Sequence, residues 1–203
     1  MDAHLADPPT TIAPDLADLS RELFAELRDA SHDGTGITRE TYGPGETAAM
    51  RRIETIALGA GLRCEWDAAA NLRVTLPGTD PALPAAACGS HLDSVPQGGN
   101  YDGAAGVIAG LVAILGAARG PRPRRTTHLF VLRGEESAWY GRPYLGSSAL
   151  FGAFDPAWLD LPNLRDPALT LRAVMAREGA DVQCIADQTK LLDPATLSHF
   201  VEL

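Results

Sequence analysis

Five side chains able to bind a cation or move a proton fall in two short blocks of this 203-residue chain. The first block, Gly89 to Gly103, reads GSHLDSVPQGGNYDG and carries His91, Asp93 and Asp102. The second, Arg133-Gly134-Glu135-Glu136-Ser137, carries two adjacent carboxylates. One imidazole nitrogen among several hard oxygen donors suits Zn²⁺, Mn²⁺ or Co²⁺. An aspartate in such a set can bridge two ions, and a glutamate left off the metal can serve as a general base. His91 and Asp93 are two residues apart. On an extended backbone they point the same way, so the carboxylate can orient the ring. Taken singly, each has an ordinary reading: a surface His–Asp pair, a solvated Glu-Glu, a turn built of glycines.

Position is what lifts the set above those readings. Pro84 precedes an apolar run, Ala85 to Cys88, which reads as a short buried strand delivering Gly89-Ser90-His91. The uncharged stretch Gly103 to Ala118 reads as a core helix, and its glycines let it lie close on a sheet. Thr127 to Leu132 is a strong strand that exits into the Glu-Glu block. Strand, helix and strand in this order predict a βαβ crossover in an α/β sandwich. Open sheets of that kind place ligand sites at the carboxyl ends of their strands, where both blocks fall.

Upstream, apolar spacing predicts helices over Pro14–Ala30 and Thr47–Gly59, separated by a Gly-rich loop from His32 to Gly45. Leu62–Trp66 and Leu72–Leu76 read as strands around the turn at 67–71. Residues 1–13 form a polar, Pro-rich arm, and residues 14–203 the rest of one domain. Downstream lie a helix at Ala168–Glu178, a Pro-rich connection, and the beginning of a strand at His199-Phe200-Val201-Glu202-Leu203.

The net charge of −9 argues against nucleic acid or anionic lipid as a partner. The basic run Arg119 to Arg125 is broken by Gly120, Pro121 and Pro123 and reads as a solvated loop. Cys64, Cys88 and Cys184 are scattered, an odd count without a CxxC pair; this predicts reduced, buried thiols and a cytoplasmic protein. The N-terminus lacks a basic region followed by an apolar run, so no signal peptide is predicted. A GxSxG elbow and a P-loop are both absent, which excludes serine-hydrolase and P-loop chemistry.

Further stretches carry a resemblance: Gly36-Ile37-Thr38-Arg39, Asp67-Ala68-Ala69-Ala70-Asn71-Leu72, Gly134-Glu135-Glu136-Ser137-Ala138-Trp139-Tyr140-Gly141, Leu145-Gly146-Ser147-Ser148 and Phe200-Val201-Glu202-Leu203. With the two blocks, they resemble in order the zinc-dependent N-carbamoyl-L-amino-acid hydrolase, β-ureidopropionase and allantoate amidohydrolase family, within the di-zinc aminopeptidase-like hydrolases. The resemblance implies a three-layer α/β sandwich on a mixed, largely parallel sheet, incomplete at the C-terminus and without the family's lid domain. It implies that His91 binds one of two divalent ions (Zn, or Mn, Co or Ni), Asp102 bridges both and Glu136 binds the second. Glu135 would be the general base, and Asp93 would orient His91. A metal-activated water would attack a ureido or amide carbonyl of a small-molecule substrate, and a carbamoyl amino acid would then yield ammonia, carbon dioxide and the free amino acid.

In the family, the strand matching Phe200–Leu203 runs into a His-Ile-Glu-Gln-Gly-Pro motif whose histidine is a ligand. This chain is therefore expected to hold a partial site and to be inactive alone, and the complete protein to form a homodimer through the missing lid. His199 is expected to be an ordinary strand residue, His128 to lie away from the site, and His4 and His32 to fall in flexible regions. Two other readings stay open: a dipeptidase or N-acyl amino acid hydrolase of the same fold, and a non-catalytic remnant or binding module.

Overall fold

The computed structural model describes residues 14–203. The expectations for the arm at 1–13, His4 included, lie outside the described residues.

Helix α1 (Pro14–Ser31) has Asp15 in its first turn and Arg28 in its last, each complementing the local end of the helix dipole. Its Leu16, Leu23 and Leu27 are buried. Helix α2 (Pro44–Gly59) starts three residues before its expected boundary, because Pro44 is preorganised for the first helical position. It buries Met50, Ile53 and Ala57 along one stripe. Strands β1 (Arg63–Trp66) and β2 (Leu72–Leu76) pair antiparallel around the expected turn.

Strand β3 (Ala85–His91), helix α3 (Ala104–Ala118) and strand β4 (Thr127–Leu132) make the βαβ unit, with β3 and β4 parallel neighbours. β3 runs three residues past the apolar run, so His91 ends the strand instead of following it. α3 carries no charged residue and buries its large apolar side chains, leaving a stripe of alanines, Ala109, Ala113 and Ala117, exposed. Its approach to the sheet is close: a Cβ on Gly110 would stand 2.7 Å from Leu129 Cδ1 and 3.1 Å from Cys88 Sγ.

After β4 come α4 (Leu145–Leu150), a 3₁₀ turn (Pro156–Asp160), α5 (Leu171–Arg177), α6 (Val182–Ala186), a second 3₁₀ turn (Pro194–Thr196) and β5 (Leu197–Glu202). α5 is shorter than the predicted 168–178, since Thr170 caps it by accepting from the Ala173 N–H. The sheet order is β1-β2-β4-β3-β5. β2 is antiparallel to β4, and β3 is parallel to both β4 and β5. Every strand except β2 therefore points the same way, in a mixed sheet with helices packed on it.

Alternation along the strands divides the core. Leu72, Val74, Leu129 and Val131 face α1, α2 and α3, while Phe130 and Leu132 face Leu150 of α4 and Leu192. A third cluster, with Tyr42, Trp139, Tyr140 and Phe154, joins the loops after α1 and β4 to α5 and α6. β5 is an exposed edge strand. The three cysteines are free thiols, and each is half-buried where full burial was expected. The basic run does lie at the surface, where Arg119 pairs with Asp15 and Arg125 donates to the Pro84 carbonyl. Among the described residues no helix is long and apolar enough to cross a membrane.

Candidate metal centre

The parallel pairing of β3 with β4 sets His91 opposite Leu132, so both strands deliver their exits at the same carboxyl-terminal end of the sheet. α3 begins at the same end, with Asp102 in the turn before it. Ligand atoms of His91, Asp102 and Glu136 lie within 4.8 Å of one another. Ligand atoms about 2.0–2.1 Å from a tetrahedral zinc ion stand about 3.4 Å apart, so side-chain rotation of the two carboxylates, which are not fully buried, would have to draw the group together. Glu135 borders the group, its Oε2 at 3.5 Å from His91 Nε2. Asp102 Oδ1 stands 3.8 Å from the same nitrogen.

Beneath them is Asp93, with no exposed surface. Its Oδ1 lies 3.1 Å from His91 Nδ1, which leaves Nε2 facing the carboxylates. The same oxygen accepts the Glu135 N–H at 3.1 Å, and Oδ2 accepts the Glu136 N–H at 3.1 Å and the Thr41 hydroxyl at 2.5 Å. Asp93 thus orients the ring and also fixes the backbone that bears the two glutamates. Gly103 makes room for the ring. At φ +63°, a Cβ there would fall 2.5 Å from His91 Cε1.

Burial raises the Glu136 carboxyl to about 7, assisted by the charges of Asp93, Asp102 and Glu135. Glu135 is raised for the same reasons, burial first, while the His91 charge opposes the shift. For His91, burial disfavours the charged ring, yet the Asp93 hydrogen bond and charge, with Glu135 and Glu136, override it and hold the pKa at about 9. Four carboxylates around one imidazole make a field that rewards positive charge. A divalent cation on Nε2 would take the proton's place in that field. The donor set therefore fits a metal ion.

Sequence reading missed Thr41. It lies in the segment taken for an ordinary loop, yet Arg39, Thr41, Tyr42 and Glu46 are all buried. No periodicity marks such residues, because their burial comes from contacts made across the fold. His199 is exposed on β5 and bonds Ser198, His32 accepts from the Gly34 N–H, and His128 bonds Thr75 at the opposite end of β4. None of the three joins the group.

Residues 71–161 match the model of Peptidase family M28. The chain is 34% identical over 151 residues to the ureidoglycolate hydrolase of Arabidopsis thaliana, covering 74% of this chain and 31% of that protein. It is 38% identical over 136 residues to the N-carbamoyl-L-amino-acid amidohydrolase of Paenarthrobacter aurescens, covering 66% of this chain and 33% of that one. A solved hydantoinase/carbamoylase family amidase from Burkholderia ambifaria superposes with a TM-score of 0.68 at 26% identity, covering 81% of this chain and 42% of the other. The chain spans about a third of the length of the two relatives and under half of the solved structure.

Proposed function

We propose that the chain is a member of the family of the N-carbamoyl-L-amino-acid and allantoate amidohydrolases, which it resembles over about a third of their length, and that it carries part of a di-metal centre for hydrolysing C–N bonds of ureido compounds. The observation that carries the proposal is the convergence of His91, Asp102 and Glu136 within 4.8 Å at the carboxyl ends of β3 and β4, beside Glu135.

In this reading His91, through Nε2, and Asp102 would hold one divalent ion, and Asp102 and Glu136 would hold a second. Zinc fits the donors, and Mn, Co or Ni are the other candidates. When bound, the ions supply Lewis acidity and lower the pKa of a water toward about 7. The remaining work falls to the protein. Glu135, half-buried with a raised pKa, takes a proton from the attacking water and returns it to the leaving nitrogen. Asp93 keeps His91 Nδ1 engaged and Nε2 turned toward the ion. The substrate is a small N-carbamoyl amino acid or a related ureido compound; an N-carbamoyl amino acid and one water give ammonia, carbon dioxide and the amino acid. β5 ends beside the centre, where the Leu203 carbonyl accepts the Ser90 hydroxyl at 2.8 Å. A donor following β5 in a longer protein would stand next to His91. Assembly as a homodimer through a lid outside these residues, and a cytoplasmic location, belong to the same proposal.

Calorimetry with Zn²⁺ and Mn²⁺ tests the centre. Binding at the first ion is expected to be lost in His91→Ala, binding at the second in Glu136→Gln, and both are expected to be retained in Glu135→Gln. Affinity that survives His91→Ala would place the ion elsewhere. A peptidase reading draws on the M28 match. Turnover of dipeptides but not of N-carbamoyl amino acids by the longer protein would favour it.

A further inference from the structure

Four successive backbone amides, from Arg133 to Glu136, donate to side chains. Arg133 N–H meets Asn71 Oδ1 at 3.0 Å and Gly134 N–H meets Glu46 Oε1 at 3.1 Å. The next two meet the oxygens of Asp93. On the other side, the carbonyls of Arg133, Gly134 and Glu135 accept the amides of Gly146, Leu145 and Tyr144 at 2.8, 2.8 and 3.1 Å. A turn bound along both edges holds one conformation, and this one bears Glu135 and Glu136.

Glu46 stands out among the acceptors. It lies in the first turn of α2, fully buried, and bonds to neither glutamate. Its Oε2 accepts the Tyr42 N–H and the Arg133 Nε, each at 2.8 Å. Arg133 is itself fully buried, donates to Thr47 Oγ1 at 2.6 Å, and lies 4.7 Å over the Tyr42 ring. A buried ion pair adds little stability over apolar residues of the same volume, so stability does not explain this one. Its geometry offers another account. The carboxylate ties the Tyr42 backbone, next to the Thr41 hydroxyl that bonds Asp93, to the Gly134 backbone that precedes the glutamates. Both walls around Asp93 are joined through it.

We propose that Glu46, held in place by Arg133, is a positioning residue that presets the turn presenting Glu135 and Glu136. The functional meaning of this inference rests on the metal-centre reading above; its geometric content does not.

Amide hydrogen exchange by NMR, with Zn²⁺ and Mn²⁺ calorimetry beside it, tests the proposal on the 203-residue chain. Glu46→Gln strands the Arg133 charge and can unfold the chain. A paired Glu46→Leu/Arg133→Met variant removes both charges and keeps the volume. Exchange at the Glu135 and Glu136 amides, which Glu46 does not bond, is expected to quicken at least tenfold in the pair, while the β3–β4 ladder amides stay unchanged. Metal affinity is expected to fall at least tenfold with it. Unchanged exchange at those two amides, or a rise that merely keeps step with the ladder, overturns the proposal. If neither the unaltered chain nor a longer form that continues past β5 binds either ion, the metal-centre reading fails and takes the functional half of this inference with it. The exchange rates still decide whether Glu46 positions the turn.

Discussion

Replacing Asp93 by alanine removes one acceptor from four donors: His91 Nδ1, the Thr41 hydroxyl, and the amides of Glu135 and Glu136. Two of these have somewhere else to go. The Thr41 hydroxyl can rotate, and His91 Nδ1 already lies 3.1 Å from the Asp93 carbonyl oxygen, which alanine keeps. The two amides are fixed in the backbone and lose their only acceptor. A stranded buried donor costs about 1–3 kcal/mol, which sums to about 2–6 kcal/mol for the pair. Relief from burying the Asp93 charge offsets part of this, so a net loss of about 3 kcal/mol is expected. Against a typical domain stability of about 5–15 kcal/mol, that is a large fraction. Urea unfolding near neutral pH reads it as a shift in midpoint at constant slope. Asp93→Asn should fall between the two, since its amide keeps one acceptor oxygen but turns an NH₂ group toward donors. An NMR titration of His91 gives a second readout, because losing the Asp93 charge must move its pKa down from about 9. A stability loss under about 1 kcal/mol in Asp93→Ala would refute this account of what holds the turn.

Gly103→Ala should weaken Zn²⁺ or Mn²⁺ binding at least tenfold in calorimetry, because its Cβ falls 2.5 Å from the His91 ring at a φ of +63°. The backbone at Gly103, with positive φ and ψ −48°, lies outside the wells open to alanine and adds about 1–3 kcal/mol of strain, readable in the same urea experiment. His128 predicts an acid sensitivity unrelated to the metal centre. Burial, assisted by the nearby Arg73 charge, lowers its pKa to about 4, against 6.5 ordinarily. The unfolded chain therefore takes up the proton first as the pH falls. The stability that the neutral ring contributes is complete above 6.5 and is lost as the pH drops through 4. With a half-exposed ring the loss is about 1–2 kcal/mol after solvent screening. His128→Gln should abolish it when urea midpoints near neutral pH and near pH 4 are compared, and equal losses in both proteins would exclude His128 as the source.

Much of this protein was legible in the chain. The uncharged, glycine-spaced run at 103–118 could only be a helix buried against something flat, and the runs at 72–76 and 127–132 could only be strands beside it. Since a βαβ unit aligns its strands, His91 and the Glu135-Glu136 pair had to leave the sheet at one end, and the sequence was enough to bring them together. Element ends were less legible. Pro44 moved the start of α2, Thr170 moved that of α5, and the helices after residue 144 are too short to display a period.

What only the tertiary structure decided is the layer under the site. Hydrophobic periodicity reports which side chains leave water, and it is silent about polar groups buried because they bond one another. Thr41 and Glu46 are fully buried through partners far away along the chain, Asp93 and Arg133 respectively, because each supplies what its partner lacks. Asp93 was readable as the partner of His91, two residues away. Its second task, holding the amides of Glu135 and Glu136, joins residues more than forty positions apart. Local pattern specifies contacts along one element, whereas bonds between loops exist only once the sheet has set those loops side by side.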